Sequence, residues 1–385
     1  YLTQNIIDDL EEKMVFIGGP RQVGKTTLST DLVGRKLSGA AYFNWDFRAD
    51  REKILSSDWP GDVELLILDE IHKFKNWKNV IKGEFDKQKK RYKFLITGSA
   101  RLDLYRKGGD SLQGRYHHFR LHPFSVAELL NQKNTIKTGE EFQFPEAPAS
   151  NEFDLLYKFG GFPEPLIKQS SRALRRWHNE KLDRLFREDI RDLEPVRDIG
   201  TMRILSDLLP ERAGSMVSVN SLREDLEVSH RAVTSWLNIL ESFYYQFRVY
   251  PYASKKIRSL KKEAKIYLWD WSEIDEEGAR FENMMASHLL KMIHYLYDYE
   301  GYRAEIHYLR NIDKKEVDFL VTIAGKPWFA VEAKVNDRVP SANIKYFKER
   351  LNIPFTFQVL KKKNVDRWVD DTRVISADKF LAALI

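Results

Sequence analysis

Gly19-Pro20-Arg21-Gln22-Val23-Gly24-Lys25-Thr26 fits G-x-x-x-x-G-K-[ST] at every position, and these residue types are the ones a bound polyphosphate needs. Gly19 and Gly24 let backbone N–H groups curl around the anion, and a helix starting behind them adds its partial positive charge. Lys25 is placed to reach β- and γ-phosphates, and the Thr26 hydroxyl to ligate Mg²⁺. Thr27, next along the helix, is counted with the nucleotide-binding set.

Two further apolar runs end in groups that belong beside such a loop. Leu65-Leu66-Ile67-Leu68 leads into Asp69 and Glu70, the pattern of a central parallel strand whose carboxyl end faces a nucleotide. There Asp69 would hold Mg²⁺, and Glu70 would polarise the attacking water as general base. Lys93-Phe94-Leu95-Ile96 leads into Thr97-Gly98-Ser99. Thr97 or Ser99 would sense the γ-phosphate or position water; a helix cap at a strand-to-helix turn is the alternative. His72 reads as a helix surface residue. The elements that must position these groups surround them. The run Met14-Val15-Phe16-Ile17 has strand length and precedes the loop; a helix follows it, with Leu28, Leu32 and Val33 spaced to face a core. Strand, loop and helix in that order are the setting the motif requires.

The chain has 385 residues, too many for one ordinary core, so two or three domains are expected. A hydrophobic share of 43% and a charged share of 31% fit a soluble globular protein. No apolar run approaches the roughly 18 residues that span a bilayer, and the first residues show no secretory pattern. The expectation is a cytoplasmic protein with no membrane partner. Cysteine is absent, which excludes disulfides and thiolate metal sites. With a net charge of only +6, nucleic-acid affinity has to come from local patches.

The P-loop, the Asp69-Glu70 pair, the Thr97-Gly98-Ser99 strand end, Gly114-Arg115 and Pro123-Phe124-Ser125 together resemble the AAA-type ATPases whose C-terminal half is a DUF4143 domain. The resemblance covers nearly all of the chain. It implies an AAA+-like fold, ATP as ligand, and a homo-oligomer, with a hexameric ring as one form. It also makes Arg115 the best candidate for an arginine finger that completes a neighbouring subunit's site. A solvated surface arginine or a structural salt bridge stands beside that role.

Residues 131 to about 151 lose apolar periodicity and read as an exposed loop. Phe159-Gly160-Gly161-Phe162-Pro163 marks a tight turn, similar to the Gly-Gly-aromatic-Pro turn of the family, and a charged helix from Arg172 to Leu193 would pack as a lid. From Val219 to Leu240 the pattern is helix, turn, helix, and Phe243 to Tyr252 reads as a β wing. On the second helix His230, Arg231, Thr234, Ser235 and Asn238 would project outward and touch DNA. A purely structural winged helix is the alternative, because Glu224, Asp225 and Glu227 dilute the basic face. Lys255, Lys256, Arg258, Lys261, Lys262 and Lys265, with Tyr250, Tyr252 and Tyr267 nearby, suggest a nucleic-acid surface over the reading of a solvated loop.

In the last third, Glu316-Val317-Asp318-Phe319-Leu320-Val321 and Trp328-Phe329-Ala330-Val331-Glu332-Ala333-Lys334 look like two antiparallel strands. Glu332 and Lys334 share a strand face. Asp318 followed by Glu332-x-Lys334, with Glu282 on a preceding helix, resembles the PD-(D/E)xK nuclease superfamily. That resemblance implies that Asp318 and Glu332 bind Mg²⁺ or Mn²⁺, that Lys334 orients or activates water, and that Glu282 is the helix acid. An inactive nuclease-like fold or a salt-bridged hairpin is the alternative. A four-residue loop between Ile323 and Trp328 would put Asp318 opposite Ala333, on the wrong face. The metal reading therefore requires an odd loop or a bulge.

The expected fold class is α/β: a P-loop AAA+-like parallel sheet over 1–131, a loop and helical lid over 132–195, a winged helix over 196–252, and a PD-(D/E)xK nuclease-like α/β domain over 253–385. The expected function is Mg²⁺-dependent ATP hydrolysis coupled to binding or remodelling DNA, branched DNA included. The alternative is an ATP-dependent signalling or defence switch that binds protein partners and carries an inactive nuclease-like fold.

Overall fold

The computed structural model describes residues 1–98, 112–147, 149–190, 198–253, 263–336 and 339–385. Two compact units emerge, one of residues 1–122 with the short piece 242–244, the other of residues 123–241 and 245–385. The divide falls at His122. Ser99 and the basic residues Lys255, Lys256, Arg258, Lys261 and Lys262 lie outside the described residues.

The first unit is built on five parallel strands: β1 (Met14–Gly18), β2 (Ala40–Asn44), β3 (Leu65–Asp69), β4 (Lys93–Thr97) and β5 (Tyr116–Arg120), in the order β2-β3-β4-β1-β5. Every residue of β1 and β3 is buried, which is why both read as unbroken apolar runs. β4 stands between them. Its register aligns Thr97 with Ile17 on one side and with Asp69 on the other, and β2 brings Asn44 beside Asp69. Four strand ends thus meet at one carboxyl edge of the sheet, the edge at which ligands of open parallel sheets bind. Helix α1 (Thr3–Leu10) precedes β1. Helix α2 starts at Lys25 and changes pitch, with α geometry over Lys25–Thr27, wide π turns over Leu28–Val33 and a tight 3₁₀ turn over Gly34–Lys36. After α3 (Arg48–Ser56), α4 (Trp77–Gln88) buries Trp77, Ile81 and Phe85 at four-residue spacing in a cluster with Leu66, Phe94 and Ile96.

The second unit begins with α5 (Val126–Leu129), whose Ser125 and Glu128 form a reciprocal capping box. Residues 131–147 hold neither helix nor strand, as expected, yet the segment is anchored. Phe142 is buried among Trp328, Phe329, Phe357 and Phe380, which an exposed loop would not be. Helices α6 (Ser150–Phe159), α7 (Pro163–Lys168) and α8 (Ser171–Arg184) follow. Between α6 and α7, Gly160 has φ 75°, and a Cβ there would sit 2.6 Å from Asp270 Oδ1, so the turn needs glycine.

Helices α9 (Ile199–Leu208), α10 (Val219–Asp225) and α11 (His230–Ser242) lead into the antiparallel pair β6 (Gln246–Pro251) and β7 (Lys265–Leu268). The pair's second strand therefore lies past 252, and β6 continues sideways, parallel to β8 (Ala304–Arg310). The sheet has eight strands in the order β12-β13-β11-β10-β9-β8-β6-β7, with β9 (Glu316–Ile323), β10 (Lys326–Lys334), β11 (Phe355–Leu360), β12 (Asp366–Val369) and β13 (Thr372–Ser376). Helices α12 (Glu277–Asp298), α13 (Ala342–Leu351) and α14 (Ala377–Ala382) complete the unit. The β9–β10 turn is two residues long, Ala324-Gly325, both at positive φ, instead of the four-residue loop. The required bulge is present between Pro327 and Phe329, after which Val331 pairs with Phe319. One step further, that register sets Glu332 opposite Asp318.

Candidate functional site

The loop between β1 and α2 is shaped by its glycines. Gly19 has φ 145°, and a Cβ there would lie 2.5 Å from the Leu121 carbonyl oxygen, a clash between backbones that no side-chain movement relieves. Gly24, at φ 103°, turns the chain into the first residue of α2. Gln22 takes the left-handed conformation as well, at φ 59°. Pro20, Arg21 and Val23 fill the rest of the loop; Val23 is buried and anchors it, while Thr26 and Thr27 are exposed at the start of the helix. The buried Lys25 folds back so that Nζ donates to the carbonyls of Gly19, at 3.0 Å, and Pro20, at 2.8 Å. Its charge therefore lies against the rim of the loop, where a phosphate would compete for it.

Asp69 is the meeting point of three strands and the helix. Its Oδ1 accepts from Thr97 Oγ1 at 2.5 Å, and its Oδ2 from Tyr42 Oη at 2.7 Å and Thr26 Oγ1 at 3.3 Å. An acceptor-only carboxylate with hydroxyl partners on both oxygens is fixed in place, ready to exchange hydroxyls for waters of a hydrated cation. The cradle at Gly19 and this donor set fit a Mg²⁺-nucleotide, which Thr26 and Asp69 could hold through the metal. Tyr42 is a site residue that the sequence reading missed. It lies within the run Ala40–Asn44, and only the parallel register of β2 on β3 brings it to Asp69. Burial and the adjoining Asp69 carboxylate push its phenol well up.

Glu70 takes φ 56°, a left-handed conformation uncommon for a residue with a Cβ. Its amide donates to Thr97 O at 3.0 Å, which locks the turn at the end of β3. Lys73 Nζ lies 3.4 Å from the Glu70 carboxylate and 2.6 Å from Asp46. Burial pushes the Glu70 carboxyl up, against the pull of Lys73. His72 is a correction: it is 1% exposed instead of on a surface, with Nε2 3.6 Å from Glu70 Oε2. Arg115 places Nε and Nη2 on the two oxygens of Asp86, at 2.9 and 3.0 Å, a forked ion pair on α4 of its own chain.

In the second unit, α11 buries Val233, Trp236, Leu237 and Leu240 and turns His230, Arg231, Ser235 and Asn238 to solvent, with Thr234 partly covered. Two neighbours expected on a nucleic-acid surface are instead interior: Tyr267 is fully buried and Lys265 is 3% exposed.

Glu282, Asp318, Glu332 and Lys334 do approach one another, but as ion pairs. Lys265 Nζ lies 3.1 Å from Glu282, 2.7 Å from Glu316 and 3.9 Å from Asp318. Tyr267 Oη donates to Glu282 at 2.7 Å, the Ala333 amide to Asp318 at 2.8 Å, and Ser341 Oγ to Glu332 at 2.8 Å. Lys334 Nζ is 3.1 Å from Glu332, its neighbour on the strand face. Burial, with the charge of Glu282, pushes the Asp318 carboxyl up. Among the described residues no group of three or more His, Asp or Glu side chains is arranged to hold a metal ion. Of the expected Mg²⁺ or Mn²⁺ set, Glu332 has a protein donor on each oxygen, while Glu282 and Asp318 each have one oxygen hydrogen-bonded, by Lys265 and Tyr267 and by the Ala333 amide. Nothing in the sequence pattern ties Lys265 to Asp318; the pairing order of β7, β6, β8 and β9 does.

The first unit is a P-loop nucleotide-binding α/β unit. Residues 11–130 match the family described as AAA domain, residues 150–272 match a domain of unknown function (DUF8612), and residues 277–380 match a domain of unknown function (DUF4143). The chain thus joins an AAA domain to a C-terminal DUF4143 domain. It is similar to an uncharacterized protein of Methanocaldococcus jannaschii, 25% identical over 305 residues, 74% of this chain and 65% of that protein's length. An uncharacterized Mycobacterium tuberculosis protein is 23% identical over 332 residues, 82% of this chain and 69% of its own. Among solved structures, a single-residue variant of RuvB from Thermotoga maritima aligns with 15% identity and a TM-score of 0.33, covering 64% of this chain and 88% of its own. A Pyrococcus horikoshii STAND protein with a tetratricopeptide repeat sensor aligns with 15% identity and a TM-score of 0.29, covering 76% and 47%. Among the described residues no helix is long and apolar enough to cross a membrane.

Proposed function

We propose that this protein is a Mg²⁺-dependent ATPase whose nucleotide cycle is coupled to binding or remodelling DNA. The observation that carries the reading is Asp69, held at a strand end between Thr26 and Thr97, with the Lys25 loop on one side and the half-buried Glu70 next in sequence. ATP would lie with its phosphates over the Gly19–Thr26 backbone, Lys25 moving from its loop carbonyls to the β- and γ-oxygens. Bound Mg²⁺ would offset phosphate charge. Glu70 takes a proton from water as the water oxygen bonds to the γ-phosphorus; the bond to the β–γ bridging oxygen breaks, leaving ADP and phosphate. Thr97 orients Asp69 or the water.

DNA is proposed as the partner on the outward face of α11. The order α9, α10, α11, β6, β7 is that of a winged helix, and Arg231, Ser235 and Asn238 stand on its exposed side. The test is ATP turnover with single-stranded, duplex and branched DNA at several salt concentrations. We expect stimulation by one of them and DNA affinity that falls as salt rises, because phosphate contacts release counterions. Turnover indifferent to all three, with no salt-dependent binding, leaves the second reading, an ATP-driven switch for protein partners. The ion pairs of Lys265 with Glu282 and Glu316 support that reading, in which the nuclease-like fold is inactive.

Oligomerisation gives Arg115 its proposed role. In a ring, of which a hexamer is one form, Arg115 would leave Asp86 for the phosphates of the neighbouring site. Arg115→Ala should then lower turnover by roughly 10³-fold, in proportion to its share in mixtures with wild type. Asp86→Ala, which frees the guanidinium, should not lower it. Near-normal turnover by pure Arg115→Ala assigns the pair to the fold alone.

A further inference from the structure

We propose that the ammonium of Lys265 is the resident cation of the C-terminal carboxylate cluster, occupying the place a divalent ion would need and leaving the domain unable to cleave by metal-dependent hydrolysis. This inference stands apart from the ATPase reading, since it concerns only residues of the second unit. The carboxylates Glu282, Glu316 and Asp318 come from α12 and two positions of β9, yet all lie within 4 Å of one nitrogen. That nitrogen belongs to a lysine that is 3% exposed, on a strand bridged to Met216 and whose Tyr267 also bonds Glu282. Arg310 Nη1 holds the second oxygen of Glu316 at 2.5 Å, and Lys334 holds Glu332.

Space and charge both exclude a divalent ion from this arrangement. Mg²⁺ or Mn²⁺ draws carboxylate oxygens to about 2.0–2.2 Å, and Ca²⁺ to about 2.3–2.6 Å, around a centre that the Lys265 nitrogen already fills. As for charge, four carboxylates, Glu282, Glu316, Asp318 and Glu332, are matched by three fixed cations, Lys265, Lys334 and Arg310. Adding a divalent ion to a nearly balanced cluster forces like charges together in a poorly solvated place, whereas the lysine pairs with Glu282 and Glu316 and lies 3.9 Å from Asp318 at no cost in metal desolvation. An ammonium has donors and a single charge but no Lewis acidity toward a phosphodiester, so the cluster retains the acidic layout of a nuclease without its electrophile.

The consequence is specific: deleting the ammonium should open a cation site. Mn²⁺ binding to the full chain, without nucleotide, is followed by electron paramagnetic resonance for wild type, Lys265→Ala, Asp318→Asn and the double variant. We expect wild type and Asp318→Asn to bind Mn²⁺ alike, Lys265→Ala to take up additional Mn²⁺, and the double variant to lose that addition. Additional Mn²⁺ in wild type that Asp318→Asn removes overturns the proposal, as does a natively folded Lys265→Ala that gains none. Should Lys265→Ala not fold, the melting temperatures of wild type and Asp318→Asn decide. An Mn²⁺-induced rise in wild type that vanishes in Asp318→Asn overturns the proposal, and an equal response in both supports it.

Discussion

Lys25→Ala is expected to weaken ATP binding by roughly 100-fold or more while the chain stays folded, the scale set by two lost charge-assisted hydrogen bonds. In the structure Lys25 Nζ already donates to two carbonyls, those of Gly19 and Pro20. A polyphosphate offers the same donors anionic acceptors, and hydrogen bonds to charged groups contribute about 1.5–3 kcal/mol each. Two such bonds lost amount to about 3 kcal/mol or more, roughly two decades in affinity. Alanine leaves the carbonyls of the buried Gly19 and Pro20 without the Lys25 donor, at a cost in stability of about 1–3 kcal/mol, so the fold control is part of the measurement. The measurement is equilibrium titration with a fluorescent ATP analogue, with circular dichroism as the fold control. Tight binding by a folded Lys25→Ala would remove the phosphate role from this loop. Lys25→Arg sharpens the result, since it keeps the charge but brings a planar fork into a place shaped for a point charge.

The sequence carried more of this site than of the C-terminal one, for a physical reason. A P-loop is local: Gly19, Gly24, Lys25 and Thr26 act through backbone shape and a helix start within eight residues, so spacing alone encodes them. Asp69, Glu70 and Thr97 were legible because buried parallel strands are apolar runs, and the residue that ends a run marks its carboxyl edge. Tyr42 escaped because it lies inside its strand, where nothing but register reveals its partner. In the last third the hairpin was visible, and the mismatch between Asp318 and Ala333 even demanded the bulge found at Trp328. Yet the chemistry of that cluster turns on Lys265, more than 50 residues before Asp318, in a stretch whose neighbouring lysines suggested a solvent-facing basic surface. Charge periodicity cannot separate an exposed lysine from one aimed inward, because burial is decided by the sheet that forms around it. Phe142 misled in the same way: one aromatic in an aperiodic segment is enough to anchor it.

Glu70→Gln should bind ATP within a few-fold of wild type and turn it over about 10²–10⁴-fold more slowly, the usual worth of a general base. The substitution is chosen because it keeps the side chain's length and the backbone turn while removing the proton acceptor. Glutamine has the length of glutamate, meets the same backbone constraint at φ 56°, and leaves the amide bond to Thr97 O untouched. Burial pushes the glutamate carboxyl up while Lys73 pulls it the other way, so Glu70 is a better proton acceptor than a fully solvated glutamate paired as closely. Glutamine also loses the ion pair with Lys73, which then leans on Asp46, 2.6 Å away. Turnover and affinity must therefore be read separately, phosphate release under saturating ATP against equilibrium binding without turnover. A fall in turnover alone marks an interaction realised in the transition state; a parallel fall in affinity marks damage to the loop around Asp69. Wild-type turnover by Glu70→Gln would transfer the base to another group. The buried His72, 3.6 Å from the Glu70 carboxylate, is then the first place to look, with His72→Asn as the matching test.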